Sequence, residues 1–250
     1  VKQVCLIGDS HTAALRHGWA LVRQDFPEIE IAFFAAHRRY MGDLAVEGGR
    51  LVPQSEDLRL RLNRGKPEPA IAADCDRYLL CGMDYSIYQV MNKLMRFRSE
   101  DQAPDNRAPV SSACYRLAMT GCLRGTASMQ VARKLRAITA RPMTIVPAPR
   151  ISDATELKLY PKLEETGDAD RIADYFAAAS DILCREVDAG IVEQPPETLR
   201  DPLRTLAVYA KDAPREFDEL PRPEGWKDYQ HMNAAYGALV LRALFAMPDF

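Results

Sequence analysis

Hydrophobic and polar positions divide the start of the chain into a repeating unit. Val4-Cys5-Leu6-Ile7 is an apolar run of strand length that stops at Gly8-Asp9-Ser10. From Thr12 to Gln24 the residues Ala13, Leu15, Trp19, Leu21 and Val22 form a mostly apolar helical face, and Pro27 ends the pattern. A second apolar run, Ile29 to Ala36, follows at once. Strand, helix and strand in so short a segment predict a βαβ unit and therefore a parallel sheet.

The same alternation continues less regularly. Arg77-Tyr78-Leu79-Leu80-Cys81 predicts a third strand closing at Gly82-Met83-Asp84-Tyr85, the layout already met at Gly8. Met143 to Val146 predicts a fourth strand and Ile191-Val192 a short fifth. Helices are expected over Ile87 to Phe97, Ser128 to Thr139, Asp168 to Ala189 and Ala234 to Phe245. Leu58-Arg59-Leu60-Arg61-Leu62 alternates with period two, which suits either a short edge strand or a solvated connector. The prolines and glycines from Gly48 to Pro69 predict a loop-like tract, and those from Pro195 to Pro223 a second one with a short helix near Thr205 to Tyr209. Residues 86–125 are longer than a strand-to-strand crossover needs, and read as an insertion forming one wall of a pocket. No repeat or linker divides the chain, so residues 1–250 are expected to be one domain.

Composition narrows the function classes. Hydrophobic residues at 47% and charged residues at 27% give the balance of a folded globular chain. The net charge of −2 provides no global basic field, which argues against nucleic acid and anionic lipid as partners. No apolar run is long enough to cross a bilayer, and the first residues read as a strand rather than a signal peptide. Six scattered cysteines, without a C-x-x-C pair or histidines at ligand spacing, argue against zinc. Reduced thiols and a cytoplasmic location are the expectation, with Cys5 and Cys81 as small buried hydrophobes.

Candidate chemistry lies at the strand ends, where open parallel sheets place their ligands. Ser10 is either an ordinary helix N-cap or a nucleophile whose backbone N–H faces developing negative charge. A nucleophile needs a base, and the chain has four histidines. His11 should point away from Ser10 on the turn, His17 lies on the first helix, and His37 ends the second strand. His231 follows Asp228 by three residues, a spacing that lets the carboxylate fix one imidazole nitrogen and leave the other facing outward. The other reading of Asp228 is a cap on the last helix. A nucleotide-binding reading lacks both a G-x-G-x-x-G and a Walker pattern.

Gly8-Asp9-Ser10, Gly42, Gly82-Met83-Asp84 and Asp228-x-x-His231 together resemble, in order, the four blocks of the SGNH (GDSL-like) hydrolase superfamily. The resemblance implies an α/β, flavodoxin-like three-layer α/β/α sandwich with a five-stranded parallel sheet. It also implies ester hydrolysis or acyl transfer through an acyl-serine, with no cofactor. Carried over by position, Ser10 is the nucleophile, His231 the base and Asp228 its orienting partner. The N–H groups of Ser10 and Gly42 would donate to the oxyanion. The family's asparagine donor falls at Asp84, which as a carboxylate only accepts. Asp84 is then protonated, or has another task, or Asn92 supplies the donor, or hydrolysis has been lost. Asp9, His11, His37 and Asn92 stand as candidate substrate contacts. The Gly-Asp-Ser-His variant resembles domains that act on O-acetylated polysaccharides, which implies a small-molecule or glycan acyl ester as partner.

Overall fold

A computed structural model describes residues 1–62, 70–71, 73–214, 227–248 and 250. In chain order the elements are β1 (Lys2–Gly8), α1 (Thr12–Val22), β2 (Ile29–Ala35), α2 (Arg38–Met41), β3 (Leu44–Glu47), β4 (Arg50–Pro53) and α3 (Glu56–Leu62). They continue with β5 (Arg77–Cys81), α4 (Ile87–Lys93), β6 (Phe97–Ser99), β7 (Ala108–Val110), α5 (Ser112–Arg124), α6 (Ala127–Arg136) and β8 (Met143–Val146). The last set is β9 (Ile151–Ser152), α7 (Leu159–Glu165), α8 (Asp168–Glu186), β10 (Gly190–Ile191), β11 (Leu199–Asp201), β12 (Arg204–Thr205) and α9 (Ala234–Phe245).

The main sheet has five parallel strands in the order β2-β1-β5-β8-β10, flanked by helices on both faces. Alternation along the strands builds the two flanking cores. Cys5, Ile7, Tyr78 and Leu80 face one way, against Met129 and Leu135 of α6 and Ile172 and Leu183 of α8. Val4, Leu6, Leu79 and Cys81 face the other way, against Leu15 and Val22 of α1 and Val240, Leu241 and Leu244 of α9. The strand order reverses between β1 and β5, so the crevice at their carboxyl ends is the expected ligand position.

Several expectations need correction. Leu58–Leu62 belongs to helix α3, because Leu58 and Leu62 are both buried one turn apart while Leu60 is exposed. The run from Pro195 is not featureless: β11 and β12 join β9 in a small second sheet, and the short helix there is confined to Ala207–Tyr209. Within residues 86–125 the helix stops at Lys93, and a second helix, α5, was not anticipated. Gly65, Pro67, Pro69, Pro221 and Pro223 lie outside the described residues. None of the six cysteines, all among the described residues, is in a disulfide, and Cys5 and Cys81 are buried in the sheet. No described helix is long and apolar enough to cross a membrane.

Candidate active site

Ser10 lies two residues past the end of β1 and is half-buried at the carboxyl edge of the sheet. Its hydroxyl does not cap α1. The amide of His11 at that turn is instead taken by Asp9 Oδ1 at 3.1 Å, and Thr12 Oγ1 donates to the Asp9 carbonyl at 2.8 Å. The Ser10 Oγ lies 2.8 Å from His231 Nε2. On the far side of the ring, His231 Nδ1 lies 2.8 Å from Asp228 Oδ2. A carboxylate accepts only, so Nδ1 carries the proton and Nε2 is left to accept from the serine hydroxyl.

The loop bearing Asp228 and His231 is held at both ends. The carbonyl of Tyr229 accepts from Ser152 N at 2.7 Å, and the Met232 side chain is buried in the core beside α9. Asn233, not Asp228, caps α9: its Oδ1 accepts from Tyr236 N at 3.1 Å. Asn233 Nδ2 also donates to the carbonyls of Val208 and Lys211. Asp228 Oδ1 accepts from the N–H groups of Gln230 and His231 at 3.0 and 3.1 Å. Partial burial alone would raise the Asp228 carboxyl. The hydrogen bond and charge of His231, with these two amides, overcome burial and hold it well below the usual carboxylate range.

Asp9 ties the first strand end to the third. Its Oδ2 accepts from Met83 N at 2.7 Å while Oδ1 serves His11. Gly82, Met83 and Asp84 have φ of 67°, 53° and 68°, a run of left-handed backbone that is costly for Met83 and Asp84. The surroundings compensate: Ser128 N donates to the Met83 carbonyl at 3.2 Å, and the Met83 side chain is fully buried. Gly82 has no substitute here, since a β-carbon would lie 2.4 Å from Asp9 Oδ1. Burial pushes the Asp9 carboxyl up to about 6 despite its two amide donors.

A cavity of about 280 Å³ opens beside the relay. Ser10, His11, His37, Asp84 and Asn92 all line it, together with Ser86, Tyr88 and Gln89, which the sequence pattern had not singled out. Ser86 is the N-cap of α4, and Gln89 and Asn92 sit one turn apart on that helix, a spacing that was legible in hindsight. Three expectations differ. Gly42 is not among the lining residues; α2 intervenes after β2, and the Gly42 carbonyl accepts from Lys134 Nζ at 2.9 Å. Asp9 also borders the cavity, but both its carboxylate oxygens are engaged by main-chain amides, so it joins two loops rather than offering itself to a ligand. His11 does not point away: its ring stacks on that of His231. His17 is exposed on α1. Among the described residues no cluster of three or more His, Cys, Asp or Glu is placed to hold a metal ion.

No protein-family model matches the chain, and no curated protein matches it.

Proposed function

We propose that this protein is a serine esterase of SGNH type, acting through Ser10, His231 and Asp228 on an acyl ester. The observation that carries the reading is the unbroken relay from Ser10 Oγ through both nitrogens of His231 to Asp228, with 2.8 Å at each link. His231 Nε2 takes the hydroxyl proton as Oγ attacks the ester carbonyl carbon. The tetrahedral intermediate collapses with cleavage of the carbon–oxygen bond to the alcohol, whose oxygen leaves with the proton from Nε2. Water then repeats the sequence on the acyl-serine, releasing the acid. The Ser10 N–H and the side-chain amides of Asn92, Gln89 or Gln230, which border this cavity, are candidate donors to the oxyanion.

The cavity is small and bordered by polar groups, which supports a short acyl group such as acetyl and accords with an O-acetylated carbohydrate as substrate. A sugar hydroxyl in place of water would make the same site an acyltransferase. The test is labelling by a fluorophosphonate probe at neutral pH. The wild-type protein should be labelled on Ser10 and the Ser10→Ala variant should not; an unlabelled folded wild type would overturn the proposal.

Asp84 favours a second reading, a non-catalytic module that binds an acyl sugar or other polar ligand on the same fold. A carboxylate lines the cavity where an oxyanion needs a donor. That reading requires saturable ligand binding that survives Ser10→Ala, in a protein that the probe does not label.

A further inference from the structure

The rings of His11 and His231 are stacked, with centroids 5.0 Å apart and planes inclined by 28°. His11 is itself fixed from two directions. Its main-chain N–H donates to Asp9 Oδ1 at 3.1 Å, and its Cδ2 rests against Gly82, where a β-carbon would come within 3.0 Å. Gly82 in turn is pinned by Val146, whose carbonyl accepts from Gly82 N at 3.0 Å. A rigid path therefore runs from the end of β5 through the His11 ring to the face of His231.

We infer that His11 is a positioning residue, whose ring sets the plane of the His231 imidazole and matters most for release of the acyl group. The inference rests on the reading of Ser10 as nucleophile. The His231 imidazole turns about its Cβ–Cγ bond, and that rotation is opposed by the hydrogen bonds at Nδ1 and Nε2 together with what packs against the ring face. In the free protein both bonds are present. Once Oγ carries an acyl group it has no proton to donate, and the bond to Nε2 is lost. Asp228 and the stacked ring of His11 then hold the imidazole while Nε2 takes a proton from the water that attacks the acyl carbonyl. Loss of the His11 ring should therefore slow deacylation more than acylation.

His11→Ala and His11→Phe, compared with wild type on p-nitrophenyl acetate, separate the two steps. Stopped-flow absorbance reads acylation as a burst of nitrophenolate, and intact mass reads the acetyl group retained on Ser10. His11→Ala should deacylate about tenfold or more slowly, as expected for a misaligned base. It should accumulate acetyl-enzyme, with a smaller fall in burst rate and in fluorophosphonate labelling. His11→Phe restores a ring face without a titratable nitrogen, and should return deacylation to near the wild-type rate. Equal slowing of both steps in His11→Ala, or no slowing, would overturn the inference while leaving the esterase reading intact. So would a His11→Phe variant as impaired as His11→Ala. His11→Leu, which fills the space without a ring, takes the place of His11→Ala if that variant does not fold. Failure of wild-type Ser10 to react with either reagent overturns the esterase reading, and this inference with it.

Discussion

A β-carbon on Gly237 would lie 1.8 Å from the carbonyl oxygen of Ala14, so α1 and α9 pack backbone against backbone at this point. Gly18 repeats the relation from the other helix, where a β-carbon would come within 2.4 Å of Ala238 N. Ser10 precedes α1 and His231 precedes α9, so this contact between helices sets how closely the two ends of the chain approach. Gly237→Ala cannot be absorbed by a flexible side chain, because the obstructing atoms are main chain. It should cost at least about 1–3 kcal/mol in stability, as overpacking does. It should also widen the gap between Ser10 and His231. The urea midpoint and the rate of fluorophosphonate labelling should fall together; a lower midpoint with unchanged labelling would separate the helix contact from the relay.

Those two glycines mark a boundary in what the pattern of residues discloses. The strand ends at Gly8 and Gly82 were legible because apolar runs stop there, and β5 and α9 fall where periodicity places them. Asp228 and His231 were legible as a pair because three residues of spacing suffice to join them. Their approach to Ser10 was not legible from periodicity, since it depends on Gly18 and Gly237 meeting across the sequence. Leu58 to Leu62 satisfied both a strand and a helix period, and burial of Leu58 with Leu62 decided for the helix. Helix α5 was masked by exposed Leu117, although Tyr115, Met119 and Leu123 are buried at four-residue spacing and Ser111 caps the start. Gly42 does not line the cavity, because α2 intervenes between β2 and that glycine.

Asp9 should make stability depend on pH in a recognisable window. Burial raises its carboxyl from 3.8 to about 6, against the lowering effect of the His11 and Met83 amides. The folded state therefore holds the proton more tightly than the unfolded chain. The resulting stabilisation is fully present below about 3.8 and is lost as pH rises through about 6. At about 1.4 kcal/mol per pH unit the difference is on the order of 3 kcal/mol. Asp9→Asn does not titrate, although one amide loses a good acceptor at every pH. Guanidinium unfolding of both proteins at pH 4 and pH 7 should show wild type losing ground to the variant at the higher pH. Parallel pH dependence would refute the assignment.

Asp228 should behave in the opposite sense. Its carboxyl is held below the usual range by His231 and two amides, so the stability it contributes is present above the unfolded value of 3.8 and is lost as pH falls below it. The stability gap between wild type and Asp228→Asn should therefore shrink as pH falls below about 3.8. Activity should respond more sharply. An asparagine can present its amide to Nδ1 and favour the wrong tautomer, and the turnover of p-nitrophenyl acetate should fall by about 10³- to 10⁴-fold. A loss of tenfold or less would mean that Asp228 does little to orient the base.

Asp84 and Asn92 line the same cavity as Ser10 but offer opposite chemistry to an oxyanion. Asp84 adopts a φ of 68°, which asparagine tolerates as well as aspartate, so Asp84→Asn exchanges an acceptor for a donor without new backbone strain. If the oxyanion forms between Ser10 N–H and this side of the cavity, Asp84→Asn should raise the acylation rate by about tenfold. Asn92→Ala should lower it by about a hundredfold, the usual effect of removing one such donor. A fall in rate for Asp84→Asn would give the carboxylate a task in holding substrate instead. The same variant has a second readout, because the Asp84 charge is one of the influences raising the Asp9 carboxyl. With asparagine at position 84 the pH window assigned to Asp9 should move downward, whichever way the rate responds.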